Sequence, residues 1–391
     1  MTPELKHLQK LEVVSLITMP RAGSEFLQSL LDGHPEILVF ILNFKFFSEY
    51  LPSAQSTSLS NSSINPNDFI YEFIGKEISR LKGIYNKTER LDRLGEQGDQ
   101  CLDINLKELI KNFLLILDQE KATVRNVFLA LYGAYHLTIG RNILKTKIIL
   151  HHSHVITEDL SFNEYFPESK KICCIRDPRA SIKSFVLNCK KNSFYNYHYF
   201  AFYDALNVIK DVCSFSKNYN NGNVSRPCLF VRLEDLPRAD TLKMVQEYLG
   251  ITISDEVYVS TWAGLNWRGD NLSGKVFNPK EKWHENRSYN NWKEELSFAD
   301  KLVLKMSFNQ FLTQHMYDNK SHGFFKKTIN KLIGFALLIK PLSIEYGFFS
   351  LKYILKKIKL KNNRDLILVL GTPYFYCRTR ALLFMSILSN L

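Results

Sequence analysis

Three short stretches of the chain carry side chains that could hold an anion or move a proton. The first is Val13 to Ile37, VVSLITMPRAGSEFLQSLLDGHPEI. An apolar β-branched run stops at Pro20, the loop Arg21-Ala22-Gly23-Ser24 follows, and Glu25 to Leu31 reads as a helix with Phe26, Leu27, Leu30 and Leu31 on one side. The first amides of a helix have no acceptor within it and sit at the positive end of its dipole. Strand, tight turn and helix therefore make a seat for phosphate or sulfate. Gly23 lets the backbone come close, Arg21 brings a fixed positive fork, and Ser24 a hydroxyl. The same spacing also suits an ordinary turn that carries an arginine. The second stretch is ICCIRDPRASIKSF, in which Arg176-Asp177-Pro178-Arg179 follows an apolar run and Ser184 stands further on. Arg176 could fork onto a phosphate or pair with a carboxylate such as Asp177. The third is His151-His152-Ser153-His154. A histidine titrates near neutral pH and suits proton transfer, although the cluster could equally be a polar strand end.

Those stretches need rigid elements behind them. Residues 13–18, 147–150, 171–175 and 228–233 are short apolar runs, and between them lie longer stretches with helical periodicity, 68–145 above all. Short strands alternating with helices predict a parallel sheet covered on both faces. In such a sheet ligands bind at the carboxyl ends of the strands, and each of the three stretches directly follows a strand. Residues 38–50 are aromatic and are expected to lie near the first helix. Residues 52–67, Ser/Asn-rich with two prolines, read as a surface loop or lid. Late in the chain, Asn266 to Lys275 is a Gly-containing basic loop, with Arg268 and Lys275 as candidate anion contacts or plain solvated charges. Trp283 and Trp292 read as packing.

At 391 residues, 45% of them hydrophobic, with 28 Phe and 19 Tyr, the chain can fill a large core and is not disordered. Its net charge of +12 suits an anionic ligand or surface. Seven cysteines without a C-x-x-C pair suggest neither a zinc site nor a disulfide framework. The charge is uneven: residues 321–391 hold twelve Lys/Arg against two acids. The uncharged block Leu332 to Ile339 there is too short to span a bilayer. It suits an interfacial helix on an anionic leaflet, or a helical extension packed on the domain. The polar start of the chain does not read as a signal peptide, so a cytoplasmic location is expected, with peripheral membrane contact through 321–391 left open. No nucleic-acid partner is expected.

Together, TMPRAGSEFLQSLLDGHPEI, ICCIRDPRASIKSF and the segment from Trp292 resemble motifs of the PAPS-dependent sulfotransferase family, over roughly residues 12–318. The resemblance implies an α/β fold with a P-loop-like central parallel sheet flanked by helices over 1–320, and the composition of 321–391 makes that stretch a helical, basic extension. It implies 3′-phosphoadenosine 5′-phosphosulfate as co-substrate, no metal, and transfer of a sulfuryl group to a hydroxyl or amine of a saccharide, lipid or small metabolite. By the same carry-over, Arg21, Ala22, Gly23, Ser24, Glu25 and Phe26 would hold the 5′ end, with Arg21 also catalytic. Arg176 and Ser184 would take the 3′-phosphate, Arg268 and Lys275 would close over the nucleotide, and His154 would act as the base. Glu25 departs from the family's usual Thr and puts a carboxylate near an anion. His152 stands where many members have Lys. Some members use a carboxylate base, for which Glu49, Glu158 and Asp159 are the substitutes. No Gly-Lys-Ser/Thr follows the first loop, which disfavours ATP chemistry. A nucleotide-binding member without transfer activity and a membrane-surface adaptor are the competing readings.

Overall fold

The computed structural model describes residues 1–41, 43, 46–50, 63–84, 89–118, 122–191, 199–224, 226–236, 238–269, 291–318, 324–349 and 372–389. Most of the expected lid, Lys275 and Trp283 lie outside them. The chain forms two compact units, one of Met1–Thr18, Gly23–Cys174 and Arg226–Glu285, the other of Met19–Ala22, Ile175–Ser225 and Asn286–Leu391.

The first unit is built on strands β1 (Glu12–Thr18), β2 (Ile37–Val39), β5 (Ile148–His154), β6 (Lys170–Ile175, its last residue falling in the second unit) and β7 (Cys228–Arg232), in the order β2-β5-β1-β6-β7. β1 pairs in parallel with β5 and β6, and β5 with β2. Two small antiparallel pairs complete the described strands, β3 (Ser63–Ile64) with β4 (Ala122–Thr123) and the hairpin β8 (Thr261–Trp262) with β9 (Leu265–Asn266). The helices are α1 (Pro3–Leu8), α2 (Ser24–Asp32), α3 (Phe46–Glu49), α4 (Pro66–Leu81), α5 (Leu106–Leu117), α6 (Val124–Thr138), α7 (Ile156–Tyr165) and α10 (Ala239–Leu249). The architecture is therefore α/β with a central parallel sheet flanked by helices. β1 is buried along nearly its whole length, as a strand covered on both faces must be.

The aromatic run from 38 lies near the first helix as expected, and it begins inside edge strand β2, which packs on α2. Three residues are too few to show a period, and pairing with Ile148–Leu150 recruits them. The histidines do not follow a strand but finish one. β1 stays paired to β5 through Ser15↔His151 and Ile17↔His154, so β5 carries one extra residue opposite Leu16. A bulge of that kind bends a strand and re-aims its side chains, and His154 ends it with φ of 65°.

Polar groups inside this sheet satisfy one another. Asp159 on α7 accepts from the Ser15 hydroxyl at 2.6 Å and from Lys171 Nζ at 2.7 Å, while Lys171 also reaches Asn163 Oδ1 at 2.8 Å. Ser153 Oγ lies 2.8 Å from Ser15 Oγ. The network ties β1, β5, β6 and α7 together at a buried level, where an unpaired member would be costly.

The second unit is helical. It holds the turn Met19–Ala22, α8 (Pro178–Lys191), α9 (Tyr199–Asn220), α11 (Trp292–Glu295), α12 (Phe298–Ser307), α13 (Asn309–Gln314), α14 (Phe324–Leu337) and a last helix, Thr372–Ser389. The last helix packs on α9 and α12, and α14 packs on α12. The described part of 321–391 thus shares a unit with the helices before it. Glu345, fully buried, is held there by the Tyr199 hydroxyl at 2.6 Å, the Leu342 amide at 2.6 Å and Arg380.

Candidate anion site and histidine chain

The turn after β1 is built from both of its ends. The Ala22 amide donates to the Met19 carbonyl at 3.2 Å, which closes the turn. Arg21 sits in the left-handed region at φ of 61°, a costly conformation for a side chain with a Cβ. Gly23 follows at φ of 79° as the residue before α2, and a Cβ on it would run into the Leu233 side chain. The positive φ favours glycine there, while the Leu233 methyl could give way. Ser24, nearly buried, opens α2, with Glu25 and Phe26 half-buried in its first turn.

In the second unit the Arg176-Asp177-Pro178-Arg179 motif divides its labour. The Asp177 carboxylate accepts the Arg179 amide at 2.9 Å and Pro178 takes the first helical position, so Asp-Pro starts α8 as an N-cap and a pre-set first residue. Arg179 folds back onto the same carboxylate, Nε to Oδ1 at 2.9 Å and Nη2 to Oδ2 at 2.7 Å, and lies 4.2 Å over the Trp292 ring. That pair is buried on both sides. Arg179, not Arg176, is thus the partner of Asp177. The Arg176 side chain turns instead to the first loop: its Nη1 donates to the Arg21 carbonyl at 3.0 Å, and its amide approaches Met19 Sδ at 3.4 Å. Ser181 on α8 donates to the Pro20 carbonyl. Arg21 Nε reaches Ser184 Oγ at 3.4 Å. The Arg176 guanidinium thus meets the backbone of Arg21, and the Arg21 guanidinium meets Ser184, across two stretches some 155 residues apart.

In the first unit the histidines form a chain. His152 Nδ1 is 2.9 Å from Gln28 Oε1, Gln28 Nε2 is 2.7 Å from the Phe40 carbonyl, and His154 Nδ1 is 3.3 Å from His152 Nε2. His152 is buried, and burial first, then its two histidine neighbours, push its pKa well below the usual value, so it is neutral. A cationic contact from this position, where the resembled motif has lysine, is thereby removed. His151 points among Phe47, Phe128 and Phe162 and meets the Tyr132 hydroxyl at 3.0 Å; burial lowers its pKa to about 3. His154, partly exposed, ends the chain.

Two of the substitute carboxylates are engaged: Glu158 accepts the Phe47 amide at 2.8 Å and Asp159 belongs to the Lys171 network, while Glu49 is exposed on α3. Arg268 donates to the Glu96 carbonyl. Among the described residues no group of three His, Cys, Asp or Glu is placed to hold a metal ion, and no helix is long and apolar enough to cross a membrane. Sequence reasoning missed Gln28 altogether, since nothing local marks a glutamine whose partner is 124 residues away. It also missed the work of Arg179, for which the N-cap signature Asp-Pro was an available signal.

No protein-family model matches this chain, and no curated protein does. Among solved structures it is similar to a sulfotransferase domain from the curacin biosynthetic pathway, at 12% identity over 73% of this chain and 97% of that one, TM-score 0.40. It is also similar to the sulfotransferase domain of the Synechococcus PCC 7002 olefin synthase, at 13% identity over 77% and 95%, TM-score 0.44. A third is a sulfotransferase from Mycobacterium avium, at 13% identity over 65% and 68%, TM-score 0.36.

Proposed function

We propose that this chain is a sulfotransferase that moves the sulfuryl group of 3′-phosphoadenosine 5′-phosphosulfate to a hydroxyl or amine of a saccharide, lipid or other small metabolite. The observation that carries the reading is the meeting of Arg21, Arg176 and Ser184, with Arg176 Nη1 3.0 Å from the Arg21 carbonyl and Arg21 Nε 3.4 Å from Ser184 Oγ. The donor set fits a doubly phosphorylated ligand: two permanent cations, a hydroxyl, and in the loop that follows Arg21 a glycine-led helix start. The Asp177 carboxylate that follows Arg176 in the motif is held by Arg179.

The co-substrate supplies an activated sulfur with a stable bisphosphate leaving group. The chain's residues do the rest. Arg176 and Ser184 hold the 3′-phosphate, while Arg21 and the amides from Gly23 to Phe26 hold the 5′ end. Arg21 stabilises the charge that builds on the bridging oxygen as the sulfur–oxygen bond breaks. His154 takes the proton of the attacking hydroxyl. Glu25 and the neutral His152 favour a second reading, a chain that binds the nucleotide and transfers nothing.

Calorimetric titration with adenosine 3′,5′-bisphosphate tests the first claim. Wild-type protein should bind it, and Arg176→Ala should lose about 10- to 150-fold in affinity, the value of one charge-assisted hydrogen bond. No binding by wild type overturns the reading. Binding without transfer of labelled sulfate to any pooled acceptor favours the second one.

A further inference from the structure

The chain of contacts that ends at His154 fixes where the protons in it must lie. The Phe40 carbonyl can only accept, so the Gln28 group 2.7 Å from it is the amide nitrogen, and the two ends of that side chain cannot be exchanged. The Gln28 oxygen therefore faces His152 Nδ1 at 2.9 Å, and because that oxygen can only accept, Nδ1 of His152 carries the hydrogen. His152 is neutral, so its Nε2 is bare. That bare nitrogen lies 3.3 Å from His154 Nδ1, with the two rings 5.1 Å apart and inclined at 60°. His154 Nδ1 must then be the donor.

We propose that Gln28 and His152 are positioning residues that lock His154 in the tautomer with hydrogen on Nδ1 and the lone pair on Nε2. The inference rests on the sulfotransferase reading only for what that lone pair does; the locking itself does not depend on it. In the reaction, the acceptor's oxygen–hydrogen bond breaks as its oxygen bonds to sulfur, and the proton moves to His154 Nε2, from which it passes to solvent after product leaves. The cation so formed keeps its Nδ1–H on the bare Nε2 of His152, so the bond that sets the tautomer also steadies the charge. The two rings lie within reach of each other at the end of β5. Without the Gln28 oxygen, His152 can move its hydrogen to Nε2; His154 Nδ1 then has to accept, and its own hydrogen shifts to the nitrogen that should be empty. A histidine in the wrong tautomer is a poor base even when its geometry is intact.

Nitrogen NMR of protein labelled with 15N-histidine reads the tautomer directly in the ligand-free chain. Signals of His152 and His154 are assigned by their loss in His152→Gln and His154→Ala. Wild type should show both rings bearing hydrogen on Nδ1; hydrogen on Nε2 of either neutral ring overturns the proposal, whatever the fate of the activity. His152→Gln can offer an amide nitrogen to Gln28 and an oxygen to His154, so it should keep His154 with hydrogen on Nδ1. His152→Leu and Gln28→Met should give His154 a mixture of tautomers, and a single unchanged tautomer in both folded variants would also overturn the proposal. For the transfer reaction, Gln28→Met should lower kcat about 10- to 100-fold, the usual effect of losing an orienting partner, with KM for the nucleotide unchanged. Equal kcat in folded Gln28→Met refutes the catalytic consequence. If the nucleotide fails to bind at all, the function fails while the NMR result still decides the locking.

Discussion

The arginine cluster of the second unit and the histidine chain of the first prepare polar groups in opposite ways. Arg21 and Arg176 stay charged at any working pH and meet through direct, partly exposed contacts; their value is their charge. His152 and Gln28 are buried and neutral, and their value is which atom holds a hydrogen. A charged cluster can be assembled from short motifs because each member acts by itself. A tautomer chain has to be closed at its far end, here by a backbone carbonyl, or it specifies nothing.

Within the second unit the same contrast can be broken residue by residue. Arg179→Met should be the most damaging change, costing about 3–5 kcal/mol of stability in chemical denaturation, because it strands the buried Asp177 carboxylate. Arg176→Met, three positions earlier, removes a guanidinium that donates to the Arg21 carbonyl and should cost far less stability than affinity. Equal destabilisation by both would erase the distinction between the structural and the ligand-facing arginine. Arg21→Ala comes next: if Arg21 stabilises the leaving group, kcat should fall about 100- to 1000-fold with the melting temperature held, the effect of losing one oxyanion donor. A full-speed Arg21→Ala enzyme would confine Arg21 to the turn.

How much of this could be read from the chain follows from the same physics. The strand before Arg21 and the strand before Arg176 are short, apolar and stopped by proline or Asp-Pro, so their turns are visible locally. The edge strand Ile37–Val39 was hidden, because three residues carry no period and only pairing with β5 defines it. The extra residue in β5 was hidden too: whether His151 to His154 end a strand or follow it depends on the register against β1, not on their own preferences. Arg21, Arg176 and Ser184 were named from motif, but their meeting is a fact of tertiary structure. Gln28 looks like any polar residue of an amphipathic helix, yet it is fully buried.

The smallest effect concerns the first unit's neutral histidines and separates it from the pH-indifferent arginines. His136 and His151 are fully buried, and burial lowers each from the ordinary 6.5 to about 3; His152 is lowered as well. A histidine whose folded pKa lies below its unfolded one leaves the unfolded chain to bind the proton first. The stability tied to it is therefore whole above about 6.5 and drains away as pH falls below that, down to about 3 for His136 and His151. Each group should remove about 1.4 kcal/mol per pH unit in that window. Denaturant unfolding in steps below 6.5 measures the slope in wild type, and His151→Phe should flatten it by one histidine's share. The ring replaced already sits among Phe47, Phe128 and Phe162, so phenylalanine fits its surroundings and forfeits only the contact with the Tyr132 hydroxyl. An unchanged slope in His151→Phe would mean that this ring is protonated in the folded chain, and that the first unit tolerates charge where the burial of His151 says it does not.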